Sequence, residues 1–498
     1  MSDYLASSWR RRSLYSVLLC LFLFSMVLRV ALTLNREVDI DEFQHLHAAW
    51  MVSQHYVLYR DVWENHTPLF YYLLVPLFRY CREGPGLVLL ARVIASFAGL
   101  GLLLLTYVLA RIDHDKLTSY LAVIILSYMV IFAEKSIEVR PDQFLIILWL
   151  TSLWISIRAF SEKQRLGFFA AGLLLGIAFL FSQKALLPYA ALSFTFLVCS
   201  YVRRSQRAFL RFLKIQSSYT LGFLIPVAAC LAFFYHSGTL KEMITSTVLE
   251  SFTYPNNYRP FYLLALRNIS FFLLALAGVL MHLEHLRKSS AAVCANHYVL
   301  LIPGLFLLLV FLFVQTAPYP QSALLFAPLL AIYGAEAFRK SMDGILLLQR
   351  SRETRRKKLR LNPGALLPFT AALAAGLVIP CAILILREHP FSNTNAAQFR
   401  TMEYVLNHTH SNDVVFDGES AYVFRPQAYF YGSLFHAIVW RIQRGEIKQD
   451  IPESLTRTNC RVVIYDERVV TLPQPVQLFL KANYAPSEFP GVYLARKD

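Results

Sequence analysis

Apolar residues run along this chain in long uninterrupted stretches, and polar residues gather in the short segments between them. The stretches fall at about Leu14–Leu34, Gly86–Ala110, Leu117–Ala133, Phe144–Phe160, Leu166–Phe181, Ala185–Val202, Ile215–Tyr235, Phe261–Leu283, Tyr298–Thr316, Ser322–Phe338 and Ala365–Leu386. Each has the length, roughly 17–25 residues, that spans a hydrocarbon core as an α-helix. None alternates residue by residue, which excludes an outer-membrane barrel. The pattern predicts a polytopic membrane protein of about eleven helices. Pro68–Cys81 is too short to cross and is expected to lie as an interfacial helix at the external face. The first stretch follows Arg10-Arg11-Arg12 and shows no small-residue cleavage site before Asn35, so it reads as an uncleaved first helix.

After Leu386 the pattern changes. Residues 387–498 carry twelve basic and twelve acidic side chains and alternate short strand and helix signals. A helix is expected near Ala396–Leu406, strands at Val414–Phe416 and Val462–Tyr465, and a helix near Pro475–Lys481. The expected organisation is a transmembrane catalytic domain, residues 1–386, with a first external loop at 35–85, and a small α/β extracytoplasmic domain at 387–498.

Composition agrees. Of 498 residues, 56% are hydrophobic and 16% charged, against about 25% charged in soluble proteins. The net charge of +16 is spread as a membrane protein spreads it. Arg203 to Lys214 and Arg350 to Arg360 are basic loops, while Asn35–Thr67 is acidic. With the positive-inside rule this places the N-terminus in the cytoplasm and the C-terminus outside, and it argues against nucleic acid as a partner. Cys20, Cys199, Cys230 and Cys381 sit in apolar runs, and Cys81 and Cys460 fall in external segments where a disulfide is open to them.

Charged groups at a membrane edge are kept where they are solvated or useful. The densest cluster is Asp39-Ile40-Asp41-Glu42-Phe43-Gln44-His45-Leu46-His47. As a helix it puts Phe43, Leu46 and Trp50 on one stripe and Asp41 and His45 on another face. An ordinary solvated loop helix fits the same pattern. A second cluster, Tyr59 to Tyr72, mixes Asp61, Glu64 and His66 with Trp63, Tyr71 and Tyr72, aromatic rings of the kind that stack on sugars. A third is Glu134-Lys135-Ser136-Ile137-Glu138-Val139-Arg140-Pro141-Asp142. Arg29, Arg92, Arg140, Lys184, Arg259 and Arg267 lie at external helix ends, against the positive-inside trend, and Lys184 stands between Phe181-Ser182-Gln183 and Ala185-Leu186-Leu187. Cations at that depth suit an anion such as a lipid phosphate.

The stretch from Asp41-Glu42 to Trp50, with Tyr59-Arg60-Asp61 and Glu64-Asn65-His66-Thr67-Pro68-Leu69-Phe70-Tyr71-Tyr72, resembles the first external loop of bacterial GT-C glycosyltransferases. The branch is that of the dolichyl-phosphate-mannose protein mannosyltransferases and the lipid A aminoarabinose transferase. The Glu138–Asp142 loop, the Lys184 turn and Tyr319-Pro320 are similar to features of the same family. The resemblance implies transfer of a sugar from a polyprenyl-phosphate carrier to an acceptor hydroxyl on the outer leaflet, with inversion, and it matches the catalytic carboxylate to Asp41. The lipid A enzyme has a Lys beside its Pro-Pro-Leu where this chain has His66-Thr67-Pro68-Leu69.

The expected roles follow. Asp41 is the base, and Asp39 and Glu42 are supporting carboxylates. Lys184, Arg140, Arg259 and Arg267 are candidates for the donor phosphate, with Glu138, Asp142, Glu64, His66 and Tyr71 around the substrates. No cofactor is certain; a divalent metal ion, if one is used, would take Asp41, Glu42 and His45. The expected partners are membrane lipids, the lipid-linked sugar and a glycan, lipid or protein acceptor, in a bacterial inner membrane. A flippase for lipid-linked sugars, or a scaffold presenting the C-terminal part, are the rival readings. A transporter would place its charges near the midplane on repeated broken helices, whereas here they lie at one face.

Overall fold

The computed structural model describes residues 2–162, 164–202, 207–250, 259–288, 294–314, 319–354, 371–420, 422–448 and 450–496. Helix α1 is Ser2–Asn35, α2 Ile40–Ser53, α3 Leu69–Tyr80, α4 Pro85–Asp113, α5 Lys116–Tyr128, α6 Val130–Lys135 and α7 Asp142–Glu162. Then come α8 Arg165–Phe181, α9 Leu186–Val202, α10 Ala208–His236, α11 Leu240–Ile244, α12 Arg259–Lys288, α13 Cys294–Phe313, α14 Ala327–Thr354, α15 Ile379–Glu388 and α16 Ala396–His408.

Among the described residues, seven helical stretches are long and apolar enough to cross a membrane. They lie in α1, α4, α7, α9, α10, α12 and the segment ending in α15. Among the described residues, shorter apolar helices accompany them in α3, α5, α8 and the part of α13 from Val299 to Phe313. Helix α10 leaves Leu221, Leu224 and Ile225 exposed along one side. Such a surface is stable against hydrocarbon, where no water is displaced by packing, and unstable in water. Its other side meets α8 through Gly172 and Gly176, where an added Cβ would run into the backbone carbonyls of Tyr219 and Phe223. Small residues four apart let two backbones approach, as in membrane helix pairs generally.

The stretch expected to run from Leu117 to Ala133 is interrupted. At Met129 the backbone leaves helical geometry, with ψ at 122°, and the chain restarts as α6. The Ile131 N–H that loses its helical partner donates instead to Asn268 Oδ1 on α12, at 3.1 Å. A broken backbone at membrane depth needs such a substitute. The break carries Glu134 and Lys135 toward the start of α2.

Beyond α15, helix α16 precedes a four-stranded mixed sheet. Strand β1 (Val415–Phe416) pairs parallel with β2 (Val462–Ile464), and β4 (Val492–Ala495) lies antiparallel between β2 and β3 (Tyr484–Pro486). The first two strands and the helix Gln474–Asn483 fall where the sequence puts them; β3 and β4 were not expected. Cys81 and Cys460 are both free, so the disulfide open to them does not form.

The C-terminal residues are anchored to the first loop. Trp63 is buried among Tyr431, Phe435, Leu434 and Ile438, and its Nε1–H donates to Glu250 at 2.6 Å. His47 on α2 donates its Nδ1–H to the Val423 carbonyl at 2.8 Å, and its Nε2 lies 3.1 Å from the Gln427 side-chain amide. Burial drives the His47 imidazole pKa down to about 4, which keeps the ring neutral in this contact.

Candidate active site at the first loop

Asp39 starts the site by starting α2. Its Oδ1 accepts the Asp41 N–H at 3.0 Å, while its own N–H donates to Glu42 Oε1 at 2.9 Å. This reciprocal cap fixes the first turn of the helix. Glu42 then turns inward. It receives Arg92 Nε at 2.9 Å and Nη2 at 2.5 Å, and also the Val139 N–H at 2.9 Å. Arg92 donates as well to the carbonyls of Arg36 and Glu37, at 2.6 and 2.8 Å. Both side chains are fully buried. A bidentate pair in such a place holds the loop at 136–141 against α2.

With its neighbours fixed, Asp41 faces Arg140. Nη2 of Arg140 is 2.6 Å from Asp41 Oδ2, and the same guanidinium lies 3.5 Å from Asp39, 3.3 Å from Glu138 and 3.4 Å from Asp142. Asp142 Oδ1 accepts from Lys184 Nζ at 2.8 Å. Lys184 is placed by a short 3₁₀ turn, Gln183–Ala185, between α8 and α9. On the other side Lys135 Nζ bridges Asp39 and Glu138, at 2.9 and 2.7 Å, and Arg36 links Glu138 to Glu388, at 2.8 and 2.9 Å. Acids and bases thus alternate along one chain of contacts.

Exposure separates the members. Arg140, Glu138 and Asp142 are buried, whereas the Asp41, Asp39 and Lys184 side chains are 26%, 25% and 22% exposed. The path Asp41–Arg140–Asp142–Lys184 therefore has a closed middle and two open ends, one anionic and one cationic. Burial would push the Asp39 carboxyl up, but Lys135 and then Arg140 hold it well below the usual carboxylate range. Burial works against the charge of Lys135 and Arg140 too, and their acid neighbours more than restore it: Lys135 is raised by Asp39 and Glu138, and Arg140 by Asp41 first. Tyr319 lies close enough to feel Asp41, whose charge adds to burial in raising the phenol.

Glu64, His66 and Tyr71 sit beside this path, with His66 close enough to feel the charge of Lys184 and Tyr71 that of Asp41. Glu64 is fully buried; it accepts from Gln44 Nε2 at 2.8 Å and the Asn65 N–H at 2.9 Å, and lies 3.1 Å from His66 Nδ1. Burial would raise its carboxyl, yet contacts with His45 and His66 keep it low. Burial lowers the His66 pKa below its ordinary value, with only partial compensation from Glu64.

Several expectations need correction. The metal set Asp41, Glu42 and His45 does not assemble, because Glu42 is taken up by Arg92 and Asp41 by Arg140. Among the described residues the only His, Cys and acid side chains close enough to share an ion are His45, Glu64 and His66. Trp63 and Tyr71 are buried in packing, and so do not present rings to a sugar; Tyr72 remains partly exposed. Arg267 does not join Lys184; its charged neighbours are Arg387, Glu134, Glu388 and Arg36. The Arg259 side chain lies outside the described residues. Sequence reasoning gave no role to Lys135 or Arg36, and it marked Arg92 only as a cation out of place at a helix end.

Residues 65–232, about a third of the chain, match the family model described as dolichyl-phosphate-mannose-protein mannosyltransferase. No curated protein matches the chain in sequence. Among solved structures, ArnT from Cupriavidus metallidurans in the apo state superposes with a TM-score of 0.61 at 13% identity, over 97% of this chain and 98% of that one. This is a GT-C fold. ArnT bound to undecaprenyl phosphate gives a TM-score of 0.57 at 14% identity, over 83% of this chain and 85% of that one. The archaeal oligosaccharyltransferase AglB from Archaeoglobus fulgidus, in complex with an inhibitory peptide and a dolichol-phosphate, gives 0.55 at 13% identity, over 98% and 75%. Within the GT-C fold, the family match takes in His66, Glu138, Arg140, Asp142 and Lys184 and stops short of Asp41.

Proposed function

We propose that this chain is an inverting glycosyltransferase that moves a sugar from a polyprenyl-phosphate donor to an acceptor hydroxyl at the external membrane face. The observation that carries the reading is the joined pair of open ends, Asp41 and Lys184, linked through Arg140 and Asp142. Asp41 accepts the acceptor's proton as its oxygen attacks the anomeric carbon. The bond from that carbon to the phosphate oxygen breaks on the opposite side, and the electron pair leaves on the lipid phosphate. Lys184 meets the developing charge, with Arg140 behind it. Arg140 engages Asp41 through Oδ2, which leaves Oδ1 to face the acceptor.

The similarity to ArnT bound to undecaprenyl phosphate and to AglB with a dolichol-phosphate supports a prenyl-phosphate donor. An apolar cavity of about 300 Å³ among α12, α13 and α14, lined by Ile269, Phe272, Leu308 and Phe311 and free of ionisable groups, suits hydrocarbon. In this reading residues 1–386 form the catalytic membrane part with about eleven crossings and a cytoplasmic N-terminus, and residues 387–498 lie outside a bacterial inner membrane. The acceptor is a glycan, lipid or protein.

The test compares envelope glycans, lipids and proteins by mass spectrometry from cells carrying the wild type, no copy, or Asp41→Asn. The wild type adds a sugar-sized mass increment that the null strain lacks, and Asp41→Asn behaves as the null at equal membrane abundance. A normal increment in Asp41→Asn removes Asp41 from its role.

A further inference from the structure

Beside the path that links Asp41 to Lys184, a second set of side chains converges on Glu64. This carboxylate is fully buried, yet among the described residues its only charged partners are two imidazoles, His45 and His66. Every other buried acid around the first loop meets an Arg or Lys: Glu42 has Arg92, Glu138 has Arg36, Lys135 and Arg140, and Asp142 has Lys184. A buried anion without a fixed cation is costly. Two imidazoles and a carboxylate are also the donors that bind a divalent metal most readily.

We infer that His45, Glu64 and His66 form a binding site for a zinc ion. One donor atom from each lies within 4.8 Å of the others. His66 Nδ1 is 3.1 Å from Glu64 Oε1, and His45 Nδ1 is 3.7 Å from Glu64 Oε2. Tetrahedral zinc with bonds of about 2.0–2.1 Å sets its donors about 3.3 Å apart, so small side-chain rotations bring the three into place. Two nitrogens and one oxygen favour zinc over magnesium or calcium, which take oxygen ligands throughout.

The surroundings have the form of an outer shell. Gln44 Nε2 and the Asn65 N–H hold the Glu64 carboxylate. Such partners orient ligands before the ion arrives. His45 and Glu64 are closed to solvent, while His66 is partly open, so a fourth position on the ion would be reached from the His66 side. His45 lies one helical turn from Asp41 on α2, and Glu64 and His66 lie on the segment before α3. The ion would therefore pin the helix carrying Asp41 to that segment.

The experiment uses the full chain purified in detergent, stripped with EDTA and titrated with zinc chloride alone, with metal content and calorimetry as readouts. The expected result is one zinc per chain and a higher melting temperature. Loss of an outer-shell partner alone weakens metal sites by about 10–100-fold, so Glu64→Gln and His66→Gln should each weaken zinc by more than ~10-fold. His66→Gln, at the more open ligand, keeps the test decisive if Glu64→Gln does not fold. Asp41→Asn should bind zinc as the wild type does, which separates this result from the outcome for sugar transfer. Stripped protein that takes up no zinc at micromolar concentration would overturn the inference and leave Glu64 simply hydrogen-bonded to its two histidines. Uptake unchanged in both ligand variants would overturn it equally.

Discussion

Arg140 lies 2.6 Å from Asp41 through one nitrogen and 3.4 Å from Asp142 through another, so a single buried guanidinium ties the proposed base to the residue that holds Lys184. A change at Arg140 should therefore reach both ends. Lysine carries the charge but not the fork, and it can bridge the two acids only poorly. Arg140→Lys is expected to lower sugar transfer by at least about tenfold while the protein remains folded, a loss of roughly 1.4 kcal/mol of transition-state stabilisation. Envelope mass increments at matched expression check this.

The Glu42–Arg92 pair gives a stability prediction. Both groups are fully buried, and each would be left as an isolated charge if the other were removed. Glu42→Ala or Arg92→Ala should destabilise by about 3–5 kcal/mol. Glu42→Leu combined with Arg92→Met should recover part of that loss, because it leaves no unpaired charge. Thermal unfolding of detergent-purified variants measures the difference.

Glu134 gives a pH prediction. Burial, followed by the charge of Glu388, pushes its carboxyl up to about 7 from an ordinary value of 4.5. The folded protein thus holds this proton more tightly than the unfolded chain does. Its contribution to stability is fully present below pH 4.5 and is lost as pH rises through 7. Glu134→Gln cannot ionise and should flatten the fall in melting temperature between pH 5 and 8. An unchanged slope in Glu134→Gln would assign the fall to other groups.

His47 joins α2 to the C-terminal residues through Val423 and Gln427. Replacing it with Leu keeps the bulk and leaves the buried Val423 carbonyl without its donor, which costs about 1–3 kcal/mol. Because the bonded ring is neutral, the loss should not vary between pH 6 and 8. Limited proteolysis of the C-terminal residues should be faster in His47→Leu at every pH in that range.

Seven of the eleven expected stretches were legible as membrane-length helices because apolar character persisted over whole crossing lengths, a signal that needs no knowledge of partners. The break at Met129 was not, since no Gly or Pro marks it and the substitute acceptor, Asn268, lies 137 residues beyond Ile131 on α12. At the site, Asp39, Asp41, Glu138, Arg140 and Lys184 were legible as charges out of place at a membrane edge. Their pairing was not, because it depends on how separate loops fold together. Glu42 looked like a companion of Asp41, yet its place in the first helical turn aims it inward at Arg92. Trp63 was expected among the rings that stack on a sugar and instead fills the C-terminal core. Strand β3 is only three residues long and ends in Pro486, which left too little alternation to read.

The central claim is that a prenyl phosphate binds at the Lys184 end of the path from Asp41. Native mass spectrometry of the purified chain with added undecaprenyl phosphate tests it most directly. The account predicts a one-to-one adduct that Lys184→Ala loses and Asp41→Asn retains. An adduct equally abundant in Lys184→Ala, or none in the wild type, would contradict it.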